Sequence, residues 1–203
     1  MRSFVSVDLP ASFADRVADV QSAFADASGL SFTDPGQAHV TLTFLGDVDP
    51  DRRTALESEL ATAVENAGVS PFSVTYGGLG VFPDLSYVSV IWLGVLDGGD
   101  ELTHLHEAVE RRTTAMGFEA DSHEFTPHVT LARMEHAGGK DLVQELVTDW
   151  PASAETAAMD PAIRHTDEGP IVGETTVEEI RLTESTLGPD GPTYETVTRF
   201  PLE

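Results

Sequence analysis

The tetrapeptide His-Val-Thr-Leu occurs twice in this chain, at 39–42 and at 128–131. With seven histidines present, composition alone gives such a recurrence a chance of about 1% or less. An internal repeat constrains architecture before any local reading, because each copy must occupy an equivalent place in a duplicated fold. The surrounding pattern repeats with it. Strand, helix, strand, strand, helix, strand is followed by nearly the same series.

The first copy of that series starts with an alternating strand over 2–8. A helix over 10–27 follows, opened by Pro10, carrying Phe13, Val17, Val20 and Phe24 at helical spacing and ended by Gly29. A short strand over 30–33 and a turn over 34–37 lead into a strand over 39–45. A helix over 50–67 is stopped by Gly68. Strands over 72–82 and 87–95 meet around Pro83-Asp84. The second copy has a helix over 101–116, a strand over 128–134 and a helix over 141–150. Strands over 176–185 and 194–200 close the chain around a turn at 187–192. The stretch 151–173, rich in Ala, Pro and acidic residues, reads as a surface excursion with weak structure. We expect one two-lobed domain over 1–203, of class α+β.

Alternation says what the repeated strand does. Successive side chains on a strand point to opposite faces. Val40, Leu42 and Phe44 share one face, and His39, Thr41 and Thr43 the other. In the second copy Val129 and Leu131 oppose His128 and Thr130. The apolar face must bury against a helix. The other face then offers an imidazole with a hydroxyl about 7 Å along the strand. A pseudo-twofold brings two such pairs across one cleft. That is what phosphodiester cleavage needs: a base on one side of phosphorus, an acid on the other, and hydroxyls for the non-bridging oxygens. Strict alternation puts Arg133 on the apolar side. Phe4 and Phe44 read as core, with lining of the cleft floor as the alternative. His104, His106, His123, His136 and His165 match nothing and read as solvated. Gly77-Gly-Leu-Gly80 lacks a strand-to-helix setting and reads as a bulged strand rather than a phosphate loop.

Composition bounds the setting. There are no cysteines, so disulfides and thiolate metal sites are excluded. No carboxylate lies at a matched position in both motifs, so neither a metal nor another cofactor is expected. No stretch is apolar enough to span a membrane, and the first residues read as a strand rather than a signal peptide. The formal net charge is −24, and of 11 basic residues only Lys140 is a lysine. Acidic residues are spread rather than blocked, which fits a halophilic cytoplasm whose salt screens self-repulsion. The same balance argues against a long phosphate-tracking surface. No protein partner is evident, and we expect a monomer.

At these residues the chain resembles the two-histidine phosphoesterase superfamily. Within it, the chain is similar to the RNA 2′,3′-cyclic phosphodiesterases, also described as 2′-5′ RNA ligases. The resemblance is carried by Met-Arg-Ser-Phe-Val-Ser-Val-Asp-Leu-Pro10, His-Val-Thr-Leu-Thr-Phe-Leu-Gly46, Gly-Gly-Leu-Gly-Val-Phe-Pro83 and Val-Ile-Trp-Leu-Gly94. It continues in Met-Gly-Phe118, Phe-Thr-Pro-His-Val-Thr-Leu-Ala-Arg133 and Gly-Pro-Thr-Tyr-Glu195. It implies two antiparallel sheets facing across a central cleft, with helices outside. It implies His39 as proton donor, His128 as proton acceptor, and Thr41 and Thr130 on the phosphate oxygens. The substrate would be RNA with a 2′,3′-cyclic phosphate end, and the product a 2′-phosphate end. It also suggests a bulge that turns Arg133 to the phosphate. Tyr194 is a candidate to stack on a base, or a core tyrosine. The chain departs from the family pattern at Phe32, where an aromatic, often Trp, is usual, and at His123-Glu124, where a basic residue is common. Its stretch after Trp150 is longer than usual. Two other readings stay open: a related enzyme acting on a small cyclic nucleotide or a 2′-5′ linkage, and a non-catalytic nucleotide-binding module.

Overall fold

A computed structural model describes residues 2–150, 159–166, 168–188 and 191–203. Its strands are β1 (Arg2–Asp8), β2 (Leu30–Phe32), β3 (His39–Asp47), β4 (Phe72–Asp84), β5 (Tyr87–Asp97) and β6 (His128–Met134), followed by β7 (Arg164–Thr166), β8 (Gly169–Val177), β9 (Glu179–Gly188) and β10 (Gly191–Pro201). The helices are α1 (Ala14–Ser22), α2 (Arg53–Ala67), α3 (Gly99–Ala115) and α4 (Lys140–Thr148).

The strands pair in the order β10-β9-β1-β3-β6-β5-β4-β8-β7, with β2 also on β6. Every pairing is antiparallel. The two expected sheets are the two ends of this order, and they meet at one residue pair, Val40 with Val129. Read outward from that pair, the order is palindromic: β3 matches β6, β1 matches β5, β9 matches β4, and β10 matches β8. The pseudo-twofold passes between the same residue of the two repeated tetrapeptides.

The helices do not stay with their own half of the sequence. α3, from the second copy, packs on β3, and α2 packs on α3 and β10. α1, from the first copy, packs on β6 and β8, and α4 packs on β4. Each motif strand is therefore backed by a helix from the other copy. Phe13, Val17, Val20 and Phe24 are all buried, as the spacing predicted, although the α-helical part is shorter than 10–27 and begins after a 3-10 turn over Ala11–Phe13. Gly68 ends α2 with φ of 60°, a left-handed conformation that a Cβ would strain. Apart from Phe4 and Ile171, the buried apolar residues among those described form one core cluster.

Residues 151–158 of the expected excursion lie outside the described residues. From Met159 onward the chain departs from a weakly structured stretch. β7 and β8 pair as a hairpin, β8 extends the sheet along β4, and Ile163, Ile171 and Val172 are buried. Apolar residues spaced through an otherwise polar segment were enough to seat it on the sheet. In the turn expected at 187–192, residues 189 and 190 lie outside the described residues.

Candidate active site

Both motif strands carry a β-bulge at the same motif position. Across β1 and β3, Val5 pairs with Thr43 and Ser6 with Thr41, which leaves Leu42 as the extra residue. Across β5 and β6, Ile91 pairs with Ala132 and Trp92 with Thr130, which leaves Leu131 extra. A bulge shifts alternation by one residue. Leu42 and Thr43 therefore both face the core, as do Leu131 and Ala132. The next residues, Phe44 and Arg133, turn outward onto the histidine face and are exposed. This corrects the alternation that put Phe44 and Arg133 on the apolar side.

The cleft face of the first lobe carries Phe4, Ser6, Asp8, His39, Thr41 and Phe44. Directly paired residues on antiparallel strands share a face, and Asp8 pairs with His39. The second lobe presents Trp92, Gly94, His128, Thr130 and Arg133 in the matching places. Phe4 is not a core residue in the ordinary sense. Its ring stacks on His39, with centroids 4.8 Å apart.

The two histidines are held alike. His39 Nδ1 lies 2.8 Å from the carbonyl oxygen of Gln37, and His128 Nδ1 lies 2.7 Å from that of Thr126. A carbonyl only accepts, so each Nδ1 carries the proton and donates it. No described residue takes either Nε2. Each Nε2 is thus left for whatever enters the cleft. It is a proton acceptor in the neutral ring and a donor in the charged one.

Burial pushes the pKa of both rings below the ordinary histidine value. The hydrogen bonds to Gln37 and Thr126 pull the other way. Two charges then break the symmetry. The Asp8 carboxylate raises His39, while the Arg133 guanidinium and a charge on His39 lower His128. The pairing of Val40 with Val129 sets the two strands that carry the imidazoles side by side in one sheet. Asp8 has no counterpart in the other lobe, where Gly94 sits opposite His128.

Aromatic rings wall both histidines. Tyr194 meets His39 edge-on at 5.1 Å and Phe4 at 5.2 Å. Its backbone N–H donates to the Gln37 side-chain oxygen at 2.7 Å, so Gln37 ties Tyr194 and His39 together. Partial burial raises the Tyr194 pKa, while Arg133 and Arg2 lower it. Arg133, from the second lobe, therefore lies near a tyrosine of the first. Phe82 packs edge-on to His128 at 4.9 Å, and Trp92 lies 6.1 Å from that ring. A Cβ at Gly80 would overlap the Trp92 indole, so the glycine makes room for it.

The match to other proteins covers the same ground. A family model described as the 2′-5′ RNA ligase superfamily matches residues 9–184. The chain belongs to that superfamily. An Archaeoglobus fulgidus RNA 2′,3′-cyclic phosphodiesterase is 28% identical over 200 residues, covering 98% of this chain and 99% of that protein. An Aquifex aeolicus protein of the same name is 33% identical over 172 residues, covering 84% of this chain and 81% of its own length. Among solved structures, a Thermus thermophilus protein superposes with a TM-score of 0.71 at 25% identity, covering 100% of this chain and 98% of its own. E. coli LigT complexed with 3′-AMP superposes with a TM-score of 0.72 at 21% identity, covering 99% of this chain and 97% of its own. The latter likeness is one of fold.

Within this superfamily fold, His39, Thr41, His128, Thr130 and Arg133 share one face of the paired motif strands, and Tyr194 lies against the His39 ring. Sequence reasoning missed Asp8, Phe82 and Trp92, because their place beside the histidines depends on strand pairing. It also placed two other histidines wrongly. His106 is buried at 6% exposure and stacks on Phe125 with centroids 4.2 Å apart. His165 is half-buried and accepts the Trp150 indole N–H at 2.9 Å. His104, His123 and His136 are exposed, as expected.

Proposed function

We propose that this chain hydrolyses RNA 2′,3′-cyclic phosphate ends to 2′-phosphate ends by acid and base catalysis between His39 and His128. One observation carries the reading: two imidazoles on adjacent strands of one sheet each donate Nδ1–H to a carbonyl two residues upstream, with no described residue on Nε2. The relatives named RNA 2′,3′-cyclic phosphodiesterase support the substrate.

His128 Nε2 takes a proton from water, which attacks phosphorus. The bond from phosphorus to O3′ breaks, and His39 Nε2–H gives its proton to O3′. The unequal charges support this direction. Asp8 favours the protonated form of His39, and Arg133 favours the neutral form of His128. Thr41 and Thr130 lie on the cleft face beside the histidines, suited to donate to the non-bridging oxygens. Arg133 holds the charge that grows there, since fixed donors on developing charge are among the larger catalytic terms. Tyr194, edge-on to His39, stacks on or hydrogen-bonds the nucleoside. The absence of cysteine and the dispersed acidic charge support a cytoplasmic setting of high salt, with no membrane involved. Among the described residues no helix is long and apolar enough to cross one.

The test is mass analysis of a cyclic-ended oligonucleotide incubated with the protein in concentrated KCl. Conversion to a 2′-phosphate end is expected. His39→Ala and His128→Ala should each lower the rate by about 10²–10⁴-fold. Persistent cyclic phosphate with folded protein would defeat the proposal. Few cationic groups border the cleft, which favours recognition of the RNA end over a long strand. A 2′,3′-cyclic mononucleotide should therefore be turned over as well.

A further inference from the structure

Each bulged leucine has its carbonyl held by a buried polar side chain from a helix of the other copy. In the second lobe, Gln21 of α1 donates Nε2–H to the Leu131 oxygen at 2.9 Å and to the Thr33 oxygen at 2.8 Å. Gln21 is 7% exposed. In the first lobe, His106 of α3 lies with Nδ1 2.7 Å from the Leu42 oxygen, and donates to it. Leu42 and Leu131 are the same position of the repeat, and α1 and α3 are the same helix of the repeat. The two contacts are related by the pseudo-twofold, although one uses an amide and the other an imidazole.

A bulge leaves the extra residue without a residue opposite it on the bulged pair. A buried carbonyl in that position needs another donor. His106 supplies one to Leu42, and at Leu131, whose oxygen also accepts the Thr33 backbone N–H at 3.0 Å, Gln21 adds a second; both favour the same residue as the extra one. That choice decides which later side chains reach the cleft face. With Leu131 extra, Arg133 faces the histidines. With regular alternation it would face the core. His106 reaches the other motif too, since its ring stacks on Phe125, next to the Thr126 whose carbonyl holds His128.

We propose that Gln21 and His106 are positioning residues for this active site, acting across the lobes by holding the two bulges that aim Arg133 and Phe44 into the cleft. The proposal rests on Arg133 serving the phosphate in cyclic phosphate hydrolysis. It also accounts for the exchange of helices, because a helix backing the opposite motif ties the two histidines into one body across a single pair of strand residues.

The experiment is a double-mutant cycle between Gln21→Met and Arg133→Ala, read as KM and kcat on a 2′,3′-cyclic mononucleotide. Methionine keeps the length of glutamine and removes the donor. If Gln21 acts through Arg133, Gln21→Met raises KM about 5-fold or more in the parent. It then adds less than about 2-fold once Arg133 is alanine. Gln21→His, which restores a donor of the kind α3 uses, should recover most of the loss. In the other lobe His106→Gln should keep activity where His106→Leu does not. Equal losses in both Arg133 backgrounds would overturn the proposal, as would failure of Gln21→His to rescue. Should Gln21→Met not fold, Thr33→Val enters the same cycle, because its hydroxyl proton is shared between the Thr130 oxygen at 2.8 Å and the Leu131 oxygen at 3.1 Å. An Arg133→Ala single variant with full activity would reject the phosphate role of Arg133, and with it this inference, by a signature separate from additivity.

Discussion

Replacing Asp8 by asparagine tests which histidine is the acid. Asp8 lies directly across the strand pair from His39 and raises its pKa. A carboxylate on a residue directly paired across the strands contributes on the order of 1 kcal/mol in a partly solvated site. Arg181 is ion-paired to the same carboxylate and offsets roughly half of this. Asp8→Asn should therefore lower the His39 pKa. Above both histidine pKa values, kcat/KM is proportional to the protonated fraction of the acid. Below both, it is proportional to the neutral fraction of the base. With His39 as acid, Asp8→Asn lowers the alkaline arm of the profile about threefold and leaves the acid arm in place. The assay is kcat/KM for a 2′,3′-cyclic mononucleotide across the titration range of both imidazoles. If His39 were the base, the alkaline arm would stay fixed and the acid arm would rise. That result would refute the assignment. An unchanged profile would refute the field attributed to Asp8.

Three further outcomes are expected. Arg133→Met removes a charge that lowers His128. The pKa of the base then rises, so the acid arm of the same profile should fall more than the alkaline arm, beyond the uniform loss of a phosphate contact. Thr130→Val, nearly isosteric, should cost about 10-fold in kcat/KM, the worth of a hydrogen bond to a charged group, with no change in melting temperature beyond a few degrees. Gly80→Ala places a Cβ into the Trp92 indole. It should reduce turnover and alter Trp fluorescence, whereas Gly117→Ala, with open space around it, should affect stability through backbone strain alone.

Much of the site was legible because it repeats. His39, Thr41, His128 and Thr130 stand out since an identical tetrapeptide in a duplicated pattern already implies matched strands and a shared axis. The helical spacing of Phe13, Val17, Val20 and Phe24 likewise announced a buried face, and those four are buried. Alternation alone put Arg133 and Phe44 on the wrong face for one reason, although the family resemblance already suggested a bulge at Arg133. A bulge inserts a residue that no hydrophobic pattern marks, because Leu42 with Thr43, and Leu131 with Ala132, look like ordinary alternation until pairing is known. His106 was read as solvated because a lone histidine on a helix carries no sign of the carbonyl it will meet.

Local chemistry determined the histidines, their hydroxyl neighbours and the duplicated order of strands and helices, since periodicity and repetition are properties of the chain itself. Register, the exchange of α1 and α3 between lobes, and the unequal charges of Asp8 and Arg133 were decided by tertiary structure. Those depend on which residues stand opposite one another across hydrogen-bonded strands. Pairing between segments more than a hundred residues apart, such as β1 with β9, is set by the packing of the whole core.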